Sequence, residues 1–175
     1  MAVTSGRNRD YPLIAAPAPH CRISRGSPMS QIVHSIDLPV DVATVFEFWM
    51  DIESFPAIME TVTRVTVTGL RHSYWEIRLG GIDWEYDAIV TSVVRGDHID
   101  WKSTTGELEL LGRASFEALN AGGCRLTVEI VWTPRSFVER VGALFGDDSR
   151  AVTRELDNFR EYVTRKTGVR HRVAD

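Results

Sequence analysis

Between Thr61 and Thr133 the chain alternates apolar and polar residues in six segments, broken at short intervals by turn residues. The segments are Thr61–Thr68, Tyr74–Leu79, Ile82–Val94, Ile99–Ser103, Arg113–Leu119 and Arg125–Thr133. Gly80-Gly81, Gly96-Asp97 and the Asn120–Gly123 stretch separate neighbours too closely for a crossover, so these joints are antiparallel hairpins. Gly69 and a loop around Gly106 mark the other breaks. An earlier segment alternates at Ile32, His34, Ile36 and Leu38, and Pro39 ends it. The expectation is one antiparallel sheet of seven strands.

Two short helical pieces follow the first strand. Asp41 caps the first, whose apolar residues Val42, Val45, Phe46 and Trp49 recur at spacings of three and four. Asp51 opens the second, which runs from Ile52 to about Met59 and is interrupted by Pro56. After Pro134 a helical stripe runs through Val138, Val141, Leu144, Phe145, Val152, Leu156, Phe159 and Val163, and Gly168 stops it. Glu155, Asp157, Arg160, Glu161 and Arg165 fill its outer face by the same periodicity. One apolar helix and one half-apolar sheet can hide their apolar faces only against each other. The fold class is α+β: seven antiparallel strands wrapped around a long C-terminal helix. A strongly twisted sheet does not touch one helix across its whole concave width, and the space left over suits a ligand.

The 175 residues make one domain with extensions. Residues 1–28 carry four of the seven prolines, Arg7, Arg9, Arg22 and Arg25 against Asp10, and no periodic pattern. They read as a disordered leader, with Met29 opening a ligand-binding domain over 29–168 and a short basic tail over 169–175. Cys21 and Cys124 cannot form a disulfide framework, so free thiols in a cytoplasmic protein are expected. No apolar run approaches the roughly 20 residues that would span a bilayer. A net charge of −4 argues against nucleic acid as a partner. The five histidines lack metal-ligand spacing, and no phosphate-binding or nucleophile-elbow motif occurs, so neither metal nor cofactor is expected.

Aromatic residues carry the functional signal. Strand parity places Trp75, Trp84, Trp101, Trp132, Phe116 and Tyr86 on apolar faces, with Ser103 beside them. Arg78, Asp83, Glu85 and Asp87 fall on the opposite, charged face. These rings could simply fill a core, but together they are more than one helix needs to cover. A cavity lined by flat rings holds a planar or polyketone-like molecule by stacking. Phe55 and Met59 are assigned to its mouth, and Leu144 and Phe145 to a helical lid. His34 shares the apolar parity and reads as a hydrogen-bonded core histidine; His72 and His98 sit at turns. No exposed apolar patch is evident in the sequence, which argues against an interaction module.

Four stretches carry a resemblance: Leu38–Phe46, Asp51–Pro56, Asp97–Ser103 and Leu156–Val163. With this element order, the chain resembles the helix-grip START/Bet v 1-like superfamily over about residues 31–167, and within it the polyketide cyclase/dehydrase and lipid-transport group. The resemblance implies a helix-grip fold around a hydrophobic small molecule. It leaves two activities open: a cofactor-independent aromatase/cyclase, with an acyl-carrier protein as partner, or a non-catalytic carrier of a lipid, quinone or isoprenoid. Related cyclases use pocket Arg, Tyr and Ser side chains. Parity here offers Tyr86 and Ser103 as the hydrogen-bond donors of such a reaction.

Overall fold

The computed structural model describes residues 30–79, 81–106, 108–120, 122–134 and 148–169. The strands are β1 (Ser30–Leu38), β2 (Val62–Val67), β3 (His72–Leu79), β4 (Ile82–Val94), β5 (His98–Ser103), β6 (Leu108–Ala118) and β7 (Cys124–Pro134). They form one antiparallel sheet in the order β1-β7-β6-β5-β4-β3-β2. Helix α1 (Val42–Met50) and a 3-10 helix (Ile52–Ala57) follow β1, and helix α2 (Asp148–Thr167) follows the sheet. This is the helix-grip arrangement. The leader, Leu144 and Phe145, the side chain of Trp132 and most of the basic tail lie outside the described residues.

Local chemistry accounts for the corners. The Asp41 carboxylate accepts the Thr44 N–H at 2.9 Å, satisfying one of the donors that the first turn of α1 leaves open. The next segment is a single short 3-10 helix with Pro56 inside it, and a proline, which has no N–H to donate, disfavours extending it as regular helix. In β4 the register shifts between Val90 and Ser92. Such an irregularity raises local twist and bends the strand, which helps the sheet curl.

The grip is solid at one end and hollow at the other. At the solid end Ile36 and Leu38 of β1, Ala114 and Phe116 of β6, and Leu126 of β7 are buried beneath Val45, Phe46 and Trp49 of α1. Leu156, Phe159 and Val163 of α2 complete this core. Phe46 meets Phe116 edge-on at 5.2 Å, and Trp49 meets Phe159 edge-on at 5.2 Å. Each such fully buried side chain contributes about 1.5–3 kcal/mol relative to exposure. Toward the hollow end, Ile32, Leu110 and Ile130 on the same strands border a cavity.

The outer face is charged, as parity requires. Arg78 holds Asp83, Arg113 holds Asp100 and Arg125 holds Asp37, each by a two-pronged guanidinium contact. Two sequence expectations fail. The sixth strand begins at Leu108, not Arg113: Leu111 and Gly112 already pair with Lys102 and Trp101 inside the ladder. Glu155 is not on the outer face of α2; it is only 7% exposed. A turn that lacks other polar satisfaction draws its carboxylate inward, as described below.

Candidate functional site

The cavity has a volume of about 480 Å³. Its walls come from β3, β4 and β5, from the 3-10 helix and the residues after it, and from the first turns of α2. Trp75 on β3 and Tyr86 on β4 are directly paired, so their side chains leave the same face of the sheet together. Their rings are parallel, with centroids 6.2 Å apart. Phe55 meets Trp75 edge-on at 6.1 Å, which braces this flat wall from behind the 3-10 helix. The Trp75 indole N–H donates to Ser73 Oγ at 2.8 Å, satisfying the one polar group of the ring two residues along the same face.

Tyr86 is buried, and its hydroxyl takes no hydrogen-bond partner among the described residues. Burial pushes the phenol well above its ordinary range, so it stays protonated and keeps its O–H. Its position is fixed from the side by Gly106, where an added Cβ would come within 2.9 Å of Tyr86 Cβ. Gly106 also has φ +92°, a conformation that side-chain-bearing residues rarely adopt.

Trp101 on β5 borders the cavity one strand further on. Its indole lies across Gly112 of β6, where an added Cβ would overlap the six-membered ring and reach 2.6 Å from Nε1. The missing side chain is thus a slot for the ring. A glycine within a strand pattern is the sequence signal for such an approach.

The remaining sequence-derived candidates divide. Phe55 and Met59 border the cavity. Trp84 is half-buried near the β3–β4 hairpin and does not border the cavity, although its pairing partner Ile77 does. Phe116 packs into the solid end against Phe46. Ser103 is buried, and its Oγ accepts the Leu110 N–H at 2.9 Å, so it supports the start of β6 and does not face the cavity. Trp132 is in β7 opposite Leu110. His34 turns toward α2, with Nδ1 3.5 Å from Thr153 Oγ1.

Sequence reading missed three contributors. Trp49 of α1 borders the cavity while packing on Phe55 and Phe159. Exposed Leu70, Val67 and Met50 give the cavity an apolar rim, correcting the expectation that no exposed apolar patch exists. Glu155 supplies a carboxylate to the wall. Its Oε2 accepts the Glu60 N–H at 2.8 Å and its Oε1 the Thr61 N–H at 2.7 Å. These are the donors left over where the chain passes from the 3-10 helix into β2, which is why the side chain points inward.

An open groove of about 440 Å³ lies where β1 meets α2, bordered by Asp37, Arg125, Asp157 and Arg160. Its arginines are already paired, Arg125 with Asp37 and Arg160 with Asp157, so its charge is compensated. No cluster that could hold a metal ion occurs among the described residues. No helix among them is long and apolar enough to cross a membrane.

Residues 38–160 match the polyketide cyclase / dehydrase and lipid transport family. An uncharacterized 17.2 kDa protein of the melC2-rnhH intergenic region of Streptomyces lincolnensis is 27% identical over 135 residues, which is 77% of this chain and 90% of that one. Two solved structures share the fold. A START superfamily protein from Mycobacterium smegmatis superposes with a TM-score of 0.67 at 14% identity, covering 77% of this chain and 99% of its own. The Zhui aromatase/cyclase from Streptomyces sp. R1128 superposes with a TM-score of 0.61 at 15% identity, covering 80% and 96%.

Proposed function

The chain belongs to the polyketide cyclase / dehydrase and lipid transport family, and from that premise we propose that its cavity binds a flat, aromatic or polyketide-like molecule against the Trp75–Tyr86 wall. The observation that carries the reading is the pairing of two parallel rings with a predominantly apolar cavity of about 480 Å³. That volume falls in the range of about 300–1,000 Å³ typical of small-molecule sites. Parallel rings favour a planar ligand that continues the stack, and the apolar rim of Leu70, Val67 and Met50 favours entry of an oily one.

Tyr86 gives the reading its chemistry. A protonated phenol in a low-dielectric wall donates to a ligand carbonyl. For a poly-β-ketone, that bond polarises the accepting carbonyl during ring closure, and the cavity walls select which carbons meet. Cyclase/dehydratase activity without a cofactor, on a chain delivered by an acyl-carrier protein, is the enzymatic form of this proposal. Ser103, the second donor that sequence parity offered, does not border the cavity; its Oγ accepts the Leu110 N–H at the start of β6. This favours as the second reading a carrier of a quinone, isoprenoid or other lipid, in which Tyr86 orients the ligand.

Tyr86→Phe separates the two. A carrier loses about 0.5–1.5 kcal/mol of binding, the worth of one neutral hydrogen bond. A cyclase loses about a hundredfold in turnover with binding nearly intact. The catalytic form fails when the Phe variant makes the same cyclised product at the wild-type rate.

A further inference from the structure

Glu155 is the feature that this reading leaves unused. It sits on the α2 side of the cavity, 7% exposed, while Trp75 and Tyr86 occupy the sheet side. Its two hydrogen bonds come from the backbone N–H groups of Glu60 and Thr61. A carboxylate has about four acceptor sites, so two remain. Among the described residues no Lys, Arg or His forms an ion pair with it. Arg154, its neighbour on α2, points outward and reaches Glu60 at 3.6 Å. Besides the Tyr86 phenol on the sheet side, which burial keeps neutral, the other charged or titratable side chains that border the cavity are Arg71 and His72, both exposed on the β2–β3 hairpin. The cavity therefore has one negative pole inside and one positive residue at its rim.

Resting on the proposed binding of a flat molecule in this cavity, we infer that Glu155 selects which end of the ligand enters: a neutral end bearing an O–H or N–H donor, such as a phenol, and not a carboxylate. A donor reaching the α2 wall meets a carboxylate with spare acceptor sites, a charge-assisted bond. An anion there faces like charge in a weakly screened space. At a separation of about 5 Å and an effective dielectric of about 20, that repulsion corresponds to more than about a hundredfold in affinity, and solvent at the open rim reduces it toward about tenfold. Free fatty acids and other carboxylates are thereby excluded from inserting charge-first. Phenolic products of ring closure and hydroxylated lipids are accepted.

The test uses the full chain with 2-naphthol, methyl 2-naphthoate and 2-naphthoate as probes, followed by tryptophan fluorescence at neutral pH. The expected result is naphthol tightest, the ester intermediate, and the acid at least about tenfold weaker than its ester. In Glu155→Gln the acid-to-ester gap should narrow to less than about threefold, while in Arg71→Gln it should persist. Equal affinity of acid and ester in the wild-type protein overturns the inference. So does a gap that is unchanged in Glu155→Gln. The wild-type series stands alone if the Gln variant does not fold. Binding of none of the three probes overturns the binding reading itself, and this inference with it.

Discussion

Filling the slot at Gly112 is the sharpest structural perturbation of the cavity. An alanine Cβ there would overlap the Trp101 ring, and the ring cannot retreat through the sheet. It can only swing into the cavity or force β5 and β6 apart. Overpacking of this kind costs about 1–3 kcal/mol. The lower chain entropy of alanine offsets about 0.4–1 kcal/mol of that. The net loss, centred near about 1.3 kcal/mol, corresponds to a melting temperature lowered by roughly 3–5 °C for a domain of this size. The displaced indole also occupies ligand space, so affinity for 2-naphthol should fall severalfold. Differential scanning fluorimetry and fluorescence titration read the two effects. Trp101→Ala supplies the control: in that background Gly112→Ala should be neutral to within about 0.5 kcal/mol, because the clashing partner is gone. If Gly112→Ala melts with the wild type and binds equally well, or loses as much in the Trp101→Ala background, the slot argument is wrong.

Further outcomes follow from the surface and the core. The Arg113 guanidinium holds the Asp100 carboxyl below the usual range, against the opposing effect of partial burial. A carboxylate depressed in the folded state contributes stability that is full above the unfolded value of about 4 and is lost as pH falls below it. Chemical denaturation from pH 6 to pH 2.5 should therefore show stability declining below about pH 4, and Asp100→Asn should flatten that decline. Cys124 is fully buried, and burial pushes its thiol up to about 11. Alkylation at mildly alkaline pH, mapped by peptide mass spectrometry to distinguish it from Cys21, should leave Cys124 unmodified until the protein unfolds. Rapid native-state modification would contradict its burial.

The sheet is readable because apolar and polar residues alternate through most of each strand and the turns are short. Leu79 pairs with Ile82 across Gly80-Gly81, and Leu119 bonds Gly123 across the next turn but one, as the spacings require. Asp41 could be identified as a cap because helix starts have few chemical solutions. What parity could not supply was depth. Trp75, Tyr86, Trp84 and Phe116 all have inward parity, yet the first two face a cavity, Trp84 lies half-buried near the β3–β4 hairpin and Phe116 lies under α1. Which end of the grip is filled depends on where α1 and α2 sit over the sheet, a tertiary fact. Ser103 had the right face, but its oxygen was taken by a backbone N–H that belonged to an unrecognised part of β6. Glu155 was assigned outward by helical periodicity. It turned inward because two backbone donors distant in sequence needed an acceptor.

A flat molecule lying against the Trp75–Tyr86 wall, inside the hollow end of the grip, leaves a magnetic signature on its neighbours. Two-dimensional NMR of the methyl and indole resonances during a 2-naphthol titration tests it directly. The account predicts ring-current shifts at the indole N–H of Trp75 and at the methyls of Ile77, Ile99 and Ile130, all of which border the cavity. The solid-end residues Leu38 and Leu126 should stay unmoved. Shifts confined to outward residues such as Val33 and Leu111, with the Trp75 and Ile99 signals unchanged, would contradict it.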